Sequence, residues 1–280
     1  MRVRIIIDST ADVIPEVKKR VSIVPLTVHF GQEEFIDGVT ITHKEFYEKL
    51  VESDVLPSTS QATPDAFTQV FEEVAQAGES AVVLTLSANF SGTYQSAMIA
   101  AEGYDNIYVV DSETAAIGTG ILTELALHLA DSGMDARAIA KKLEQEKKNV
   151  RIIAMMDTLE YLQKGGRVSK TVAFAGGLLN IKPVIFVAGG QITMIGKARG
   201  AKLSNQLLTA EINKAGGVDF SKPVLLGYTG LTDVYLQKYI EDSKYLWEAG
   251  ASELHSTVVG SVIGTHAGPG AIAAAFFKKN

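Results

Sequence analysis

The residue types best suited to chemistry in this chain are gathered in four short turns rich in hydroxyls and glycine. They are Asp8-Ser9-Thr10, Thr59-Ser60-Gln61, Ser91-Gly92-Thr93-Tyr94 and Thr265-His266-Ala267-Gly268-Pro269-Gly270. Each follows an apolar, strand-like run. Turns of this kind offer backbone N–H groups and neutral hydroxyls to an anion. None of them sets a nucleophile beside an evident base, and the chain has no cysteine. The pattern therefore points to holding a small acidic group before it points to converting one.

Plainer readings stand beside these. Asn89 or Ser91 also suits the N-cap of the helix that should follow, and a cap shares the geometry of an anion site. Asp8 falls where the first strand should end, a usual place for a ligand crevice in a parallel sheet, but Asp is also a common turn residue. Thr59-Ser60 reads equally as solvated loop ahead of a helix. His266 differs from the other four histidines in having only small residues on its C-terminal side. Arg167, after Gly165-Gly166, reads either as a loop salt bridge or as an exposed docking charge.

Composition narrows the class. With 280 residues, 46% of them apolar and 21% charged, the chain can bury one large core or two medium ones, and its length favours two domains. The net charge of -6 and the lack of any basic run longer than a pair argue against nucleic acid as the main partner. The absence of cysteine excludes thiolate catalysis and a disulfide framework, and fits a reducing compartment, the cytoplasm. Ser256 to Phe277 carries no formal charge apart from His266 and is long enough to span a bilayer. Gly260, Gly264, Gly268, Pro269 and Gly270 interrupt it, so two buried strands around a glycine loop are expected there and no transmembrane segment.

Standard nucleotide and hydrolase motifs fail on inspection. Gly190 to Lys197 has one residue too many for a P-loop, and Ala198 replaces the magnesium-binding hydroxyl. Gly268 to Ala273 formally fits a dinucleotide fingerprint, but no room follows for the second strand or the ribose-binding acid. No G-x-S-x-G or H-E-x-x-H occurs, and the histidines are scattered, so no metal site is expected.

The elements that must position these turns alternate between strand and helix. Apolar runs at Val3 to Ile7, Ala81 to Leu86, Ile107 to Val110 and Ile152 to Met155, separated by helical patterns, predict a largely parallel sheet covered by helices. Thr63 with Pro64 marks one helix start, and Thr42 with Glu45 makes a capping box at another. Val24, Leu26, Val28 and Phe30 alternate before a Gly31-Gln32 turn, which predicts a small β insert near residues 22–40. Farther along, Pro183 to Val187 and Ile192 to Ile195 flank Gly189-Gly190 as an antiparallel pair. A helix after Arg199, a strand at Val224 to Gly227 and a long helix from Asp233 to Glu248 follow. The fold class is α/β with two α/β domains, 1–160 and 161–280, the second mixed with antiparallel strands, and a shared cleft as the natural ligand site.

Taken in order, these segments resemble the DegV family over the whole chain. The likeness rests on Ile5-Ile6-Ile7-Asp8-Ser9-Thr10-Ala11-Asp12, Thr59-Ser60-Gln61, Ser91 to Ala97, Leu159 to Arg167, Lys182-Pro183 and Gly264 to Gly270. Gln61-Ala62-Thr63 departs from the family pattern, in which a Pro and then a Ser often follow the Gln. The resemblance implies a long-chain fatty acid in a tunnel between the two domains. It assigns the carboxylate to Thr59, Ser91 and His266, with Ser60, Gly92 and Thr93 as supporting turn residues. It also implies a partner, the catalytic subunit of a fatty acid kinase, which would bring ATP and metal; this chain would then need no cofactor and no catalytic residue of its own. Acyl phosphate made in this way would feed phospholipid synthesis. On that account His266 either orients the head group or assists phosphoryl transfer. Arg167, Lys197, Arg199 and Lys202 are candidates for docking the kinase, and Phe90, Phe174, Leu178, Leu179 and Ile195 for setting tunnel width. Two rival readings remain: a stand-alone phosphotransferase or hydrolase built on Asp8, Ser91 and His266, and a lipid-responsive regulator.

Overall fold

The computed structural model describes residues 2–169, 181–248, 250 and 253–279. The first strand, β1 (Val3–Asp8), explains the first layer. Ile5 and Ile7 point to one face and Ile6 to the other, and all three are buried, as a strand covered on both sides requires. It lies inside a four-stranded parallel sheet between β2 (Ser22–Val24) and β6 (Ser80–Thr85), with β7 (Ile107–Asp111) beyond β6.

On the Ile6 face pack α3 (Pro64–Gln76), through Phe67, Phe71 and Val74, and α4 (Thr93–Ala100), through Ala97 and Ala100. The Thr63 hydroxyl caps α3 by accepting from Ala66 N–H, and Pro64 stands at its first position, as expected. On the other face lie α5 (Ala116–Asp131) and α6 (Ala136–Glu146).

A second sheet of six strands runs in the order β10-β9-β8-β13-β11-β12, with all its pairs antiparallel except β11 with β12. The strands are β8 (Val150–Met155), β9 (Ile181–Ala188), β10 (Gln191–Arg199), β11 (Leu225–Tyr228), β12 (His255–Val258) and β13 (Ile272–Phe277). Ile152, Ala154, Ile185, Val187, Ala275 and Phe277 turn towards α5 and α6 and share one core with Ile5, Ile7, Val82 and Leu84 of the first sheet. The opposite face, with Ile153, Met155 and Phe276, packs on α8 (Ala201–Lys214), α9 (Val234–Asp242) and α10 (Lys244–Trp247). The layers therefore run helix, sheet, helix, sheet, helix, and α5 lies between two sheets.

A small antiparallel sheet, β4-β3-β5, sits beside the first, from β3 (Thr27–Phe30), β4 (Glu33–Ile36) and β5 (Ser58–Ser60). Gly31, with φ of 60°, makes the expected β3–β4 turn. Helix α2 (His43–Glu52) closes this sheet, its capping box formed as the sequence indicates. The short helices α1 (Pro15–Lys18), α7 (Glu160–Lys164) and α11 (Ser261–Ala267) complete the description.

The expected two-part α/β fold is found, with differences in detail. The strand at Ile152 to Met155, expected in the parallel sheet, is β8 and pairs antiparallel in the second sheet. The change of sheet therefore comes before residue 150, ahead of the boundary expected near 160. A buried β-rich run has no feature that names its partner, and only tertiary pairing does so. Thr59-Ser60, read as a turn, is an edge strand. The helix expected from Asp233 to Glu248 divides at Ser243, whose hydroxyl donates to Tyr239 C=O and accepts from Trp247 Nε1.

The uncharged C-terminal stretch holds α11 between its two strands, and Gly268, with φ of 69°, ends that helix. No described helix is long and apolar enough to cross a membrane. Phe174, Leu178 and Leu179 lie outside the described residues. Ile195 is half-buried and packs against the core on the α8 side of the second sheet, outside the cavity wall.

Helix α5 comes close to its surroundings through glycine. A Cβ at Gly120 would strike the carbonyl oxygen of Asp12, which is backbone and cannot swing aside. Replacing Gly by Ala gains about 1 kcal/mol of helix propensity, whereas overpacking costs about 1–3 kcal/mol. Gly120→Ala is therefore expected to lower the urea midpoint without changing the slope of unfolding; a raised midpoint would show that α5 is loosely seated.

Candidate functional site

Between the two sheets, past the N-terminus of α5, lies a cavity of about 420 Å³, within the usual range for small-molecule sites. Most of its wall is apolar. Leu86, Ile117, Ile152, Met156, Ile185 and Val187 line one stretch, and Val259, Ala271 and Ile272 another. At one end the wall turns polar: Thr59, Ser60, Gln61, Ser91, Gly92, Arg167 and His266.

The polar residues arrive on several different elements. Thr59 is on β5 of the small sheet, and Ser91 and Gly92 close the loop before α4. His266 is in the last turn of α11, which comes from the C-terminal part of the chain and packs on α2, α7, β3 and β5. A Cβ at Gly264 would strike Phe46 and the Tyr47 hydroxyl, so Gly264 lets α11 approach α2 closely. That seating brings His266 Nε2 within 3.0 Å of Thr59 Oγ1.

The Ser91 and Thr93 hydroxyls are 3.0 Å apart, and Ser91 Oγ also accepts from Thr93 N–H. Thr93 Oγ1 in turn accepts from Ala62 N–H. The N-cap position of α4 is Gly92, without a side-chain cap, so neither Asn89 nor Ser91 fills it; Ser91 makes a local turn to Thr93 and lines the cavity. Gly92 leaves room for the Gln61 amide, into which a Cβ would run; Gln61 Nε2 donates to Ser96.

The structure thus brings together Thr59, Ser91, His266, Gly92 and Ser60, although the Ser60 hydroxyl also pairs with His29 Nε2 at 2.8 Å. Thr93 is fully buried behind Ser91. Arg167 lines the cavity instead of standing free: its Nε and Nη2 donate to Phe90 C=O and its Nη1 to Gly165 C=O. These partners are carbonyls, so its positive charge is not neutralised by them. An open polar depression formed by Asn89, Phe90, Gly166, Arg167, Ser169 and Gln191 adjoins this end and shares Arg167 with the cavity.

Lys197 and Arg199 are exposed on β10 and Lys202 on α8, none of them in the cavity wall. Asp8 is also outside that wall. Its carboxylate accepts from Thr10 N–H, Thr10 Oγ1 and Leu86 N–H, which ties β1 to β6. The grouping of Asp8 with Ser91 and His266 is therefore not assembled. Among the described residues no group of three or more His, Asp or Glu converges on a metal position.

Leu162, Tyr228 and Thr229 line the cavity without a role assigned from the sequence, and Gln61, named there only as part of its turn, lines it too. So do Ala115 and Ala116 at the uncapped start of α5, and Ala116 has a φ of 53°, a strained value for a residue with a Cβ. No sequence signal marks that strain.

A model of the DegV family, described as "Uncharacterised protein, DegV family", matches residues 2–279. The chain belongs to the DegV family. A DegV domain-containing protein of Caldanaerobacter subterraneus subsp. tengcongensis is 33% identical over 287 residues, covering 99% of each chain. A DegV family protein of Thermus thermophilus, solved as a fatty acid binder, superposes with a TM-score of 0.87 at 28% identity over 99% of this chain and 100% of that one. A stearic acid-binding protein from Eubacterium ventriosum superposes with a TM-score of 0.83 at 29% identity over 99% of both chains.

In this DegV-family chain, burial, reinforced by the charge of Arg167, pushes the His266 imidazole down from 6.5 to about 4. The unfolded chain takes up that proton more readily. The contribution of His266 to stability is therefore complete above pH 6.5 and is lost as pH falls towards 4. Burial raises Asp8 to about 6, which has the reverse sense: its contribution is present at low pH and is lost as pH rises from about 4 to 6. His266→Gln is expected to flatten the fall in Tm between pH 6.5 and 4.5; an unaltered fall would place the His266 proton elsewhere.

Proposed function

We propose that this chain binds a long-chain fatty acid with its tail in the apolar cavity and its carboxylate at Thr59, Ser91 and His266. The observation that carries this reading is one cavity whose mostly apolar wall includes the polar group Thr59, Ser91, Arg167 and His266. The tail dominates the energetics. About 14 methylenes at roughly 0.8 kcal/mol each offer on the order of 11 kcal/mol before association costs, whereas a hydrogen bond nets about 1 kcal/mol.

The head group sets orientation. A buried carboxylate needs donors on its oxygens, and neutral His266 with its proton on Nε2 donates to Thr59 and frees the Thr59 O–H for the ligand. In the same sense Thr93 O–H donates to Ser91, whose own proton then faces the cavity. The fatty-acid-binding relatives of the same fold support this reading.

On this account the chain presents the carboxylate to an ATP-dependent kinase, the partner that supplies ATP and metal and makes the acyl phosphate used in phospholipid synthesis. Neutral hydroxyls leave the carboxylate more nucleophilic than a guanidinium clamp would. The open depression beside Arg167 gives a partner access to the head end. Arg167 at that opening, with exposed Lys197, Arg199 and Lys202, supplies positive charge for docking. The cytoplasm, where ATP is made available, is the matching compartment.

Native followed by denaturing mass spectrometry of the protein from a bacterial host is expected to release a fatty acid at one per chain. A chain that is empty and does not take up added fatty acid would refute the lipid reading. Ser91→Ala is expected to reduce acyl-phosphate formation with the kinase tenfold or more while changing lipid affinity by no more than about fivefold, the worth of roughly one hydrogen bond. Equal losses would show that the head group does not act separately from the tail.

A further inference from the structure

The imidazole of His266 meets the Thr59 hydroxyl through Nε2, at 3.0 Å. Its other nitrogen, Nδ1, is buried and has no hydrogen-bond partner among the described residues. The space beside Nδ1 is taken up by Gly165, at the end of α7: a Cβ there would overlap Nδ1 and stand 2.9 Å from Cε1 of the same ring. The backbone does not ask for glycine at this place. Gly165 has φ of -71° and ψ of -10°, values open to any residue, whereas Gly166 beside it has φ of 75° and does use the left-handed region. Glycine also lets the same two helices meet a second time, since a Cβ at Gly268 would run into the Tyr161 ring.

The unpartnered nitrogen fixes the proton. A buried N–H without an acceptor is rarer and costlier than an acceptor lone pair left unused. Arg167, the nearest cation, is turned to the carbonyls of Gly165 and Phe90 and gives Nδ1 no partner. The neutral ring therefore carries its proton on Nε2 and donates it to Thr59 Oγ1.

We propose that Gly165 is a positioning residue for His266. By having no side chain it lets the imidazole lie against the end of α7, closes Nδ1 off from water, and holds the Nε2–H tautomer that turns the Thr59 hydroxyl proton towards the cavity. Only the last step, the offer of that proton to a carboxylate, rests on the fatty acid reading. Gly165→Ala keeps the carbonyl that accepts from Arg167, so the substitution tests the missing side chain alone.

Long-range proton–nitrogen NMR at pH 7, with the His266 signals assigned by their loss in His266→Ala, is expected to show a single Nε2–H tautomer in the wild type and its loss in Gly165→Ala. A proton on Nδ1 in the wild type would overturn the proposal. Gly165→Ala is also expected to lower the urea midpoint and to weaken palmitate binding about fivefold, the worth of roughly one hydrogen bond. Once the imidazole is gone, in His266→Ala, the same change should do neither. Equal losses in both backgrounds would overturn the proposal, because Gly165 would then act without the ring. If Gly165→Ala alone does not fold, the double variant decides: folding restored by removing the imidazole supports the positioning role, and failure of both overturns it. A chain that takes up no palmitate removes the fatty acid reading, and the tautomer and the urea midpoints then decide the role of Gly165 by themselves.

Discussion

The architecture depends on one constraint: α5 must be buried against two sheets at once. Its first eight residues, Ala116 to Thr123, are half-buried or fully buried on every side, so this half of the helix has no polar face to offer water, whereas Glu124, His128 and Asp131 reach solvent farther along. The first sheet supplies Ile5, Ile7 and Leu84, and the second supplies Ile152, Ala275 and Phe277, to the same core. The helix also begins late. Beyond Ala116 the described residues leave a cavity between the sheets, walled by the inner faces of β8, β9 and β13. An apolar interior and an apolar ligand wall are here the same surface.

Polarity enters where short elements from distant parts of the chain meet. Thr59 and His266 are separated by 207 positions, yet their side chains pair at 3.0 Å because Gly264 lets α11 approach Phe46 and Tyr47. The resulting end is low in charge. His266 is held neutral by burial and by Arg167, and Arg167 is turned to the carbonyls of Phe90 and Gly165. On the proposed reading, oriented hydroxyl protons backed by one cation at the opening hold the carboxylate, a milder arrangement than a bidentate guanidinium pair. The proposed role of presenting a carboxylate for attack on a phosphate calls for that balance.

The Asp-rich turn after β1 illustrates a different use of a familiar position. The crevice at the carboxyl ends of parallel strands is where ligands commonly bind, but Asp8 is consumed there by Thr10 and Leu86. Asp12, a few residues on, accepts from Gly260 N–H at the start of α11, and Asp37, which lies between β4 and α2, faces the Ser9 and Ser261 donors there.

The sequence by itself determined the local elements, because their causes are local. Thr42 with Glu45 and Thr63 with Pro64 start helices through hydrogen bonds and φ values set within a few residues, and Gly31-Gln32 turns its hairpin for the same reason. The ordered hydroxyl and glycine turns also sufficed to bring out the family and three of the polar residues at the cavity end. Only the tertiary structure decided which sheet β8 joins, since a buried apolar run satisfies either, and where Arg167 points, since a guanidinium can serve a loop or a cavity. It likewise decided that Thr59 is a strand residue, that His266 lies on a helix, and that Asp12 and Asp37 share a space. Those features arise from contacts between residues far apart in the chain, and no pattern of neighbours encodes them.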